Sequence, residues 1–151
     1  MDAAEQKALE DIERYGCHIL HIMAEGELPP FSYTVGIQRA SNAPELIVIG
    51  LKQPIAHFIL NEYNRRVCEG ERFSDGQFSS GFLEGFDCLF REVDRANYRE
   101  YLGWDIWLYG DEGFNTLQLV YPNTSGVWPW QPEADQWFKS WQPSLAAEPR
   151  Q

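Results

Sequence analysis

The spacing of apolar positions changes repeatedly along the chain, and each change marks an element. Ala4, Ala8, Ile12 and Tyr15 recur at helical spacing behind Asp2-Ala3-Ala4-Glu5, a capping-box sequence, and Gly16 stops the helix. From Cys17 to Met23 the pattern is that of a strand apolar on both sides. Cys17, Ile19, His21 and Met23 share one face and His18, Leu20 and Ile22 the other, which predicts a place near the middle of a sheet. Past Gly26 and Pro29-Pro30, Phe31, Tyr33, Val35 and Ile37 alternate with Ser32, Thr34 and Gly36, predicting a strand with one core face. Ser41, Asn42 and Pro44 separate it from the apolar run Leu46-Ile47-Val48-Ile49, an antiparallel partner that ends at Gly50.

Pro54 opens a helix with Ile55, Phe58, Ile59, Tyr63 and Val67 on one face and His57, Asn61, Asn64 and Cys68 opposite, closed by Gly70. Residues 71–85, rich in Gly, Ser and Phe, read as a loop or an irregular edge strand, and Phe86 to Val93 as a strand. Tyr98, Tyr101, Leu102 and Ile106 suggest a further helix ending at Gly110, followed by a strand from Thr116 to Tyr121. Strand-helix-strand alternation does not run through the chain. The fold class predicted is therefore α+β, a mostly antiparallel sheet with two to three helices packed on it, in a single domain over residues 1–151.

The last third adds a different kind of element. Trp128-Pro129-Trp130-Gln131-Pro132 and Trp141-Gln142-Pro143 set large rings between prolines, which lowers the entropic cost of packing and predicts an ordered C-terminal cap. Trp130 is expected to lie against the sheet formed by residues 31–37 and 46–51, and the Trp128-Pro129 bond is a candidate for the cis form.

Charge narrows the partners. Twelve basic against twenty-three acidic residues give a net charge of -11, which opposes binding to phosphate backbones and anionic lipid surfaces. No apolar run approaches the roughly 20 residues needed to cross a bilayer. Three cysteines without a Cys-x-x-Cys pair, and no basic N-terminal region followed by an apolar stretch, point to a reducing cytoplasm.

Tyr15-Gly16, Phe31-Ser32-Tyr33-Thr34-Val35-Gly36, Pro44-Glu45-Leu46-Ile47-Val48-Ile49-Gly50, the helix containing Asn61, Gly70-Glu71-Arg72-Phe73, Leu117-Gln118-Leu119-Val120, Pro129-Trp130 and Gln142-Pro143 occur in that order over nearly the whole chain. Together they resemble the bacterial family called domain of unknown function 4262. The resemblance implies no established activity. Asn123 stands where that family often has Asp, and Val127 where a basic residue is common.

The candidate chemistry is sparse. His18 and His21 point to opposite faces of one strand, and Cys17 and His21 are about 13 Å apart along it, so neither pair chelates one ion. No two of the three histidines and three cysteines share a chelating spacing, which predicts no metal site and no structural zinc. His57 reads as solvated, and no catalytic constellation is evident; a Cys88–His57 nucleophile would need distant segments to meet. Gly76, Gly81 and Gly85 lack a phosphate-loop pattern. Ser32, Thr34 and Gly36 form a narrow polar face, and Glu45 before an apolar strand is a buried carboxylate, a general base or an edge charge.

Two functional expectations result. One is a non-catalytic binding protein without a cofactor, an immunity-type inhibitor covering a basic toxin or enzyme, motivated by the acidic, ring-rich composition. The other is a small enzyme or cofactor-binding domain whose cap closes over a flat ligand such as a flavin. The candidate binding residues are Tyr33, Thr34, Glu45, Trp128 and Trp130.

Overall fold

A computed structural model describes residues 2–147. Helix α1 (Ala3–Tyr15) has the expected capping box: Glu5 N–H donates to Asp2 Oδ1 at 2.8 Å, and Asp2 N–H to Glu5 Oε1 at 3.1 Å. The strands are β1 (His18–Ile22), β2 (Phe31–Val35), β3 (Glu45–Ile49), β4 (Phe78–Leu83), β5 (Phe86–Glu92) and β6 (Thr116–Val120). Between them lie α2 (Ile37–Ser41), α3 (Gln53–Cys68), α4 (Tyr98–Tyr101) and α5 (Gly103–Tyr109), with α6 (Gln136–Trp141) last. The six strands form one sheet in the order β1-β2-β3-β6-β5-β4, antiparallel except between β3 and β6.

Both faces of the sheet are covered. Leu46, Val48, Leu117 and Leu119 meet Ile59, Leu60 and Tyr63 of α3 together with Phe73, Phe82 and Phe90. Tyr33, Val35, Ile47 and Ile49 meet Ile12 of α1 with Tyr98, Leu102 and Phe114 on the opposite face. Side chains alternate across a strand, so a central strand covered on both sides reads as the unbroken run Leu46 to Ile49.

Three expectations change. Strand β1 is apolar on both faces yet lies at the sheet's edge, because periodicity reports how many faces are covered, not how many strands flank it; α1 and α3 both pack on it. Strand β2 is buried on both faces, since Ser32 and Thr34 are paired by hydrogen bonds and therefore tolerate burial. The chain also leaves β2 earlier than Ile37. Gly36 at φ +106° turns it into α2, and a Cβ there would lie 2.5 Å from Ile12 Cγ1.

The cap is ordered, but its anchors differ from those expected. Phe138 is buried beside Tyr121, and the Gln142 amide is buried against the Tyr121 backbone: Oε1 accepts from Tyr121 N–H at 3.0 Å and Nε2 donates to Tyr121 O at 2.9 Å. Trp130, by contrast, is 56% exposed and stacks on Trp128 with ring centroids 5.1 Å apart, away from β2 and β3. No peptide bond among the described residues is cis, so Trp128-Pro129 is trans; Gln131 Oε1 closes that turn by accepting from Trp128 N–H at 2.8 Å. Asn123 needs no charge to make its own turn, since its Oδ1 accepts from Ser125 and Val127 N–H at 2.9 and 3.0 Å.

An exposed stacked ring contributes about 0.5 to 1.5 kcal/mol. Trp130→Ala is therefore expected to lower the unfolding free energy by about 1 kcal/mol, which a urea unfolding curve measures; a cost of about 3 to 5 kcal/mol would mean that the indole is a core group.

Candidate functional site

A cleft of about 590 Å³ opens between the sheet and the cap. Arg91 of β5 and Gln118 and Val120 of β6 form the sheet side; Pro129, Trp130, Lys139, Gln142 and Ser144 form the cap side. The sequence places these groups by two devices. Along β6, Leu117 and Leu119 turn to the α3 face, which leaves Gln118 and Val120 on the other. Gln118 then fixes the segment after α6, donating to Pro143 O at 2.9 Å and accepting from Leu145 N–H at 2.8 Å.

The cleft's charge is opposite to that of the chain. Its described lining residues include two cations and no carboxylate, although acidic residues outnumber basic ones nearly two to one. Asp75 accepts from Arg91 Nε at 3.0 Å, which leaves the terminal guanidinium nitrogens, like Lys139 Nζ, without a hydrogen-bond partner among the described residues. With the Trp130 ring beside them, these donors suit a flat apolar body carrying a carboxylate, phosphate or sulfonate.

Of the residues singled out from sequence, Trp130 lines the cleft and Trp128 stacks behind it, edge-on to Phe78 at 5.7 Å. Tyr33, Thr34 and Glu45 do not line it. They are buried, Tyr33 Oη accepting from Trp104 N–H at 3.1 Å and the other two belonging to a hydrogen-bonded hub. Arg91, Gln118, Lys139 and Gln142 were missed in that reading. An unpaired-looking cation in an acidic, Trp/Pro-rich segment was the available signal for Lys139, whereas Arg91 reaches the cleft only through strand order.

The hub centres on Glu45, which is completely buried. Its Oε1 accepts from Thr34 Oγ1 at 2.8 Å and Ile37 N–H at 3.1 Å, and its Oε2 from Gln38 N–H at 3.0 Å and from the Tyr109 hydroxyl. The carboxylate thus caps α2, whose preceding residue, Gly36, has no side chain to do so. Asp105 of α5 is equally buried, yet neither of its carboxylate oxygens has a partner among the described residues. Burial, and secondly the charge of Glu45, push its pKa well above the usual carboxylate range. Burial raises Glu45 too, but four donors oppose that rise. The proton of the pair therefore resides on Asp105.

A carboxyl whose folded pKa is raised keeps a proton that the unfolded chain releases above about pH 4, so stability falls as pH rises from there toward the folded pKa. Asp105→Asn should remove this loss. Its stability relative to the parent is expected to grow by up to about 1.4 kcal/mol per pH unit across that window, measured by urea unfolding at a series of pH values. A pH-independent difference would refute the assignment.

The histidines also gain partners. His18 Nδ1 lies 2.8 Å from Asp11 Oδ2 and ties β1 to α1. His57 is exposed, as expected, and also meets His21: His57 Nδ1 is 3.1 Å from His21 Nε2, and His21 Nδ1 is 2.6 Å from Ser32 Oγ. Burial lowers the His21 pKa. Cys88 is buried away from any base, with its thiol pushed up to about 12, and does not pair with His57. Among the described residues no group of three or more His, Cys, Asp or Glu is placed to hold a metal ion, and no helix is long and apolar enough to cross a membrane.

The family profile of the domain of unknown function (DUF4262) matches residues 11–135, and the chain belongs to that family. No curated protein and no solved structure matches it.

Proposed function

We propose that this is a non-catalytic binding protein whose cleft between sheet and cap takes a small anionic ligand with a flat apolar body. One observation carries the reading: two cations and an indole, with no carboxylate among the described lining residues, wall a cavity of about 590 Å³ in a chain with net charge -11. The volume falls within the roughly 300 to 1,000 Å³ of small-molecule sites. The described lining residues suit anions and rings, and they include no histidine, carboxylate or cysteine to act as general base or activated nucleophile. Titration with flavin mononucleotide and with anilinonaphthalene sulfonate, followed by tryptophan emission, tests this directly. Binding of either should weaken at least about tenfold in Trp130→Ala and in the double variant Arg91→Gln/Lys139→Gln, since each removes an interaction worth about 1.4 kcal/mol or more. Equal binding by parent and variants would place the ligand elsewhere.

A second reading, an immunity-type inhibitor of a basic toxin or enzyme, is favoured by a different surface. The loop after the edge strand β1 exposes Met23 and Leu28 at 72% and 66%, next to the exposed Glu25 and Glu27. Apolar anchors among carboxylates suit a basic partner. Association with such a partner should slow markedly as ionic strength rises to physiological values, where the field reaches only about 8 Å. A salt-independent association rate measured in stopped flow would argue against it.

A further inference from the structure

His21, His57 and Ser32 lie 11 to 36 residues apart in sequence and on three elements, yet they form one chain of contacts on the α3 face of the sheet edge. Two ligand nitrogens on one zinc-type ion, each at about 2.0 to 2.1 Å, stand about 2.9 to 3.4 Å apart for angles between the octahedral and tetrahedral values. The 3.1 Å between His21 Nε2 and His57 Nδ1 falls inside that span. Ser32 supplies the second requirement. Its buried hydroxyl at 2.6 Å from His21 Nδ1 fixes the ring and can accept that nitrogen's proton in a hydrogen bond, which turns Nε2 into a lone-pair donor. His57 is exposed, so its ring is free to turn out of the hydrogen bond, in which the ring centroids stand 5.3 Å apart, and aim Nδ1 at a shared ion.

We infer that His21 Nε2 and His57 Nδ1 form the protein half of an open site for a divalent ion that prefers imidazole, such as zinc, nickel or copper, with the His21 ring held by Ser32. The proton that bridges the two rings is not lost on binding. If it sits on His57 Nδ1 it shifts to the solvent-facing Nε2, and if on His21 Nε2 it shifts to Nδ1 and is taken by the Ser32 hydrogen bond, so two neutral imidazoles meet the ion in either case. The remaining coordination positions are open to water or to a donor from outside, because the surface beside His57, bordered by Gln53 and Pro54, is a wide open cleft. This is a binding site on a folded chain. Two exposed-edge ligands do not make a structural zinc of the four-ligand kind, so the fold does not depend on the ion.

Zinc titration of the folded protein by calorimetry, with side-chain imidazole nitrogen shifts recorded in parallel, tests the inference. One zinc per chain is expected, with shifts confined to His21 and His57. His57→Ala, an exposed substitution that keeps the fold, should weaken zinc binding at least about tenfold, and Ser32→Ala should weaken it by about 10 to 100-fold while leaving both ligands in place. Thermal unfolding of each metal-free variant shows that it is folded before titration. The inference is overturned if the folded parent takes up no zinc, or if His57→Ala binds it as tightly as the parent with the shifts at His18.

Discussion

Glu45→Ala is expected to destabilise the chain by about 3 to 5 kcal/mol. The substitution takes the acceptor away from two backbone N–H groups and two hydroxyls at once, the Thr34 hydroxyl and Ile37 N–H being buried and Gln38 N–H and the Tyr109 hydroxyl half-buried. An orphaned buried donor costs about 1 to 3 kcal/mol. The loss of a buried charge recovers part of the cost, but the Tyr109 hydroxyl gains nothing from Arg39 N–H, which donates to it and leaves its proton without an acceptor. A net destabilisation of about 3 to 5 kcal/mol remains, a large share of the about 5 to 15 kcal/mol that holds a domain of this size. Glu45→Gln separates shape from charge. It keeps an accepting oxygen for Thr34 and Ile37 but turns an NH2 toward Gln38 N–H and the Tyr109 hydroxyl, so it should cost less than alanine but still be clearly measurable by urea unfolding. A Glu45→Ala protein that unfolds like the parent would show that the hub does not hold α2 and β3 together.

Gly50→Ala should cost about 2 to 5 kcal/mol through a separate mechanism. Gly50 has φ +89°, where an L side chain strains the backbone by about 1 to 2 kcal/mol. Its Cβ would also stand 2.6 Å from the Trp141 carbonyl oxygen and 2.7 Å from Tyr121 Oη, a hydroxyl already donating to Ile49 O at 2.6 Å. Neither atom is the loose end of a flexible side chain, so overpacking adds about 1 to 3 kcal/mol. The cap must move off the sheet to relieve the clash. Tryptophan emission should then shift to the red before the domain unfolds, and ligand binding in the cleft should be lost at concentrations of denaturant that the parent tolerates. An unchanged emission spectrum together with parent-like stability would mean that the cap does not dock through this contact.

What the sequence made legible follows from the range of each signal. The ends of α1 were readable because caps act within four residues, whereas the stripe of α3 was readable only at Ile59, Tyr63 and Val67: Ile55 and Phe58, expected inside, are exposed, and Ala56, Leu60 and Asn64 are buried instead. Sheet order was not. The residues of β1 carry the pattern of a doubly covered strand whether it stands in the centre or at an edge, and the parallel β3–β6 pair forms only after β4, β5 and the helices between them have crossed the sheet. Glu45 was visible as an isolated acid before an apolar strand, but its donors come from residues 34, 37, 38 and 109, and no local rule joins the last of these to the rest. The same limit applies to Arg91 and Lys139, which share a cleft only through the strand order and the path of the cap. Trp130 misled for a different reason. Size and flanking prolines signal order, and the segment is ordered, but these features do not say which ring of several points inward; Phe138 and Gln142 took that place.

The cleft is most directly tested by what the protein carries when purified from its native host without high salt. Denaturing the parent and analysing the released small molecules by mass spectrometry should yield one anionic, ring-containing species at close to one per chain. The Arg91→Gln/Lys139→Gln variant, folded to the same extent by circular dichroism, should release markedly less of it. A parent that releases no such species, while parent and variant alike retain a stoichiometric basic protein, would contradict the cleft as the binding site and leave the acidic surface around Glu25 and Glu27 in its place.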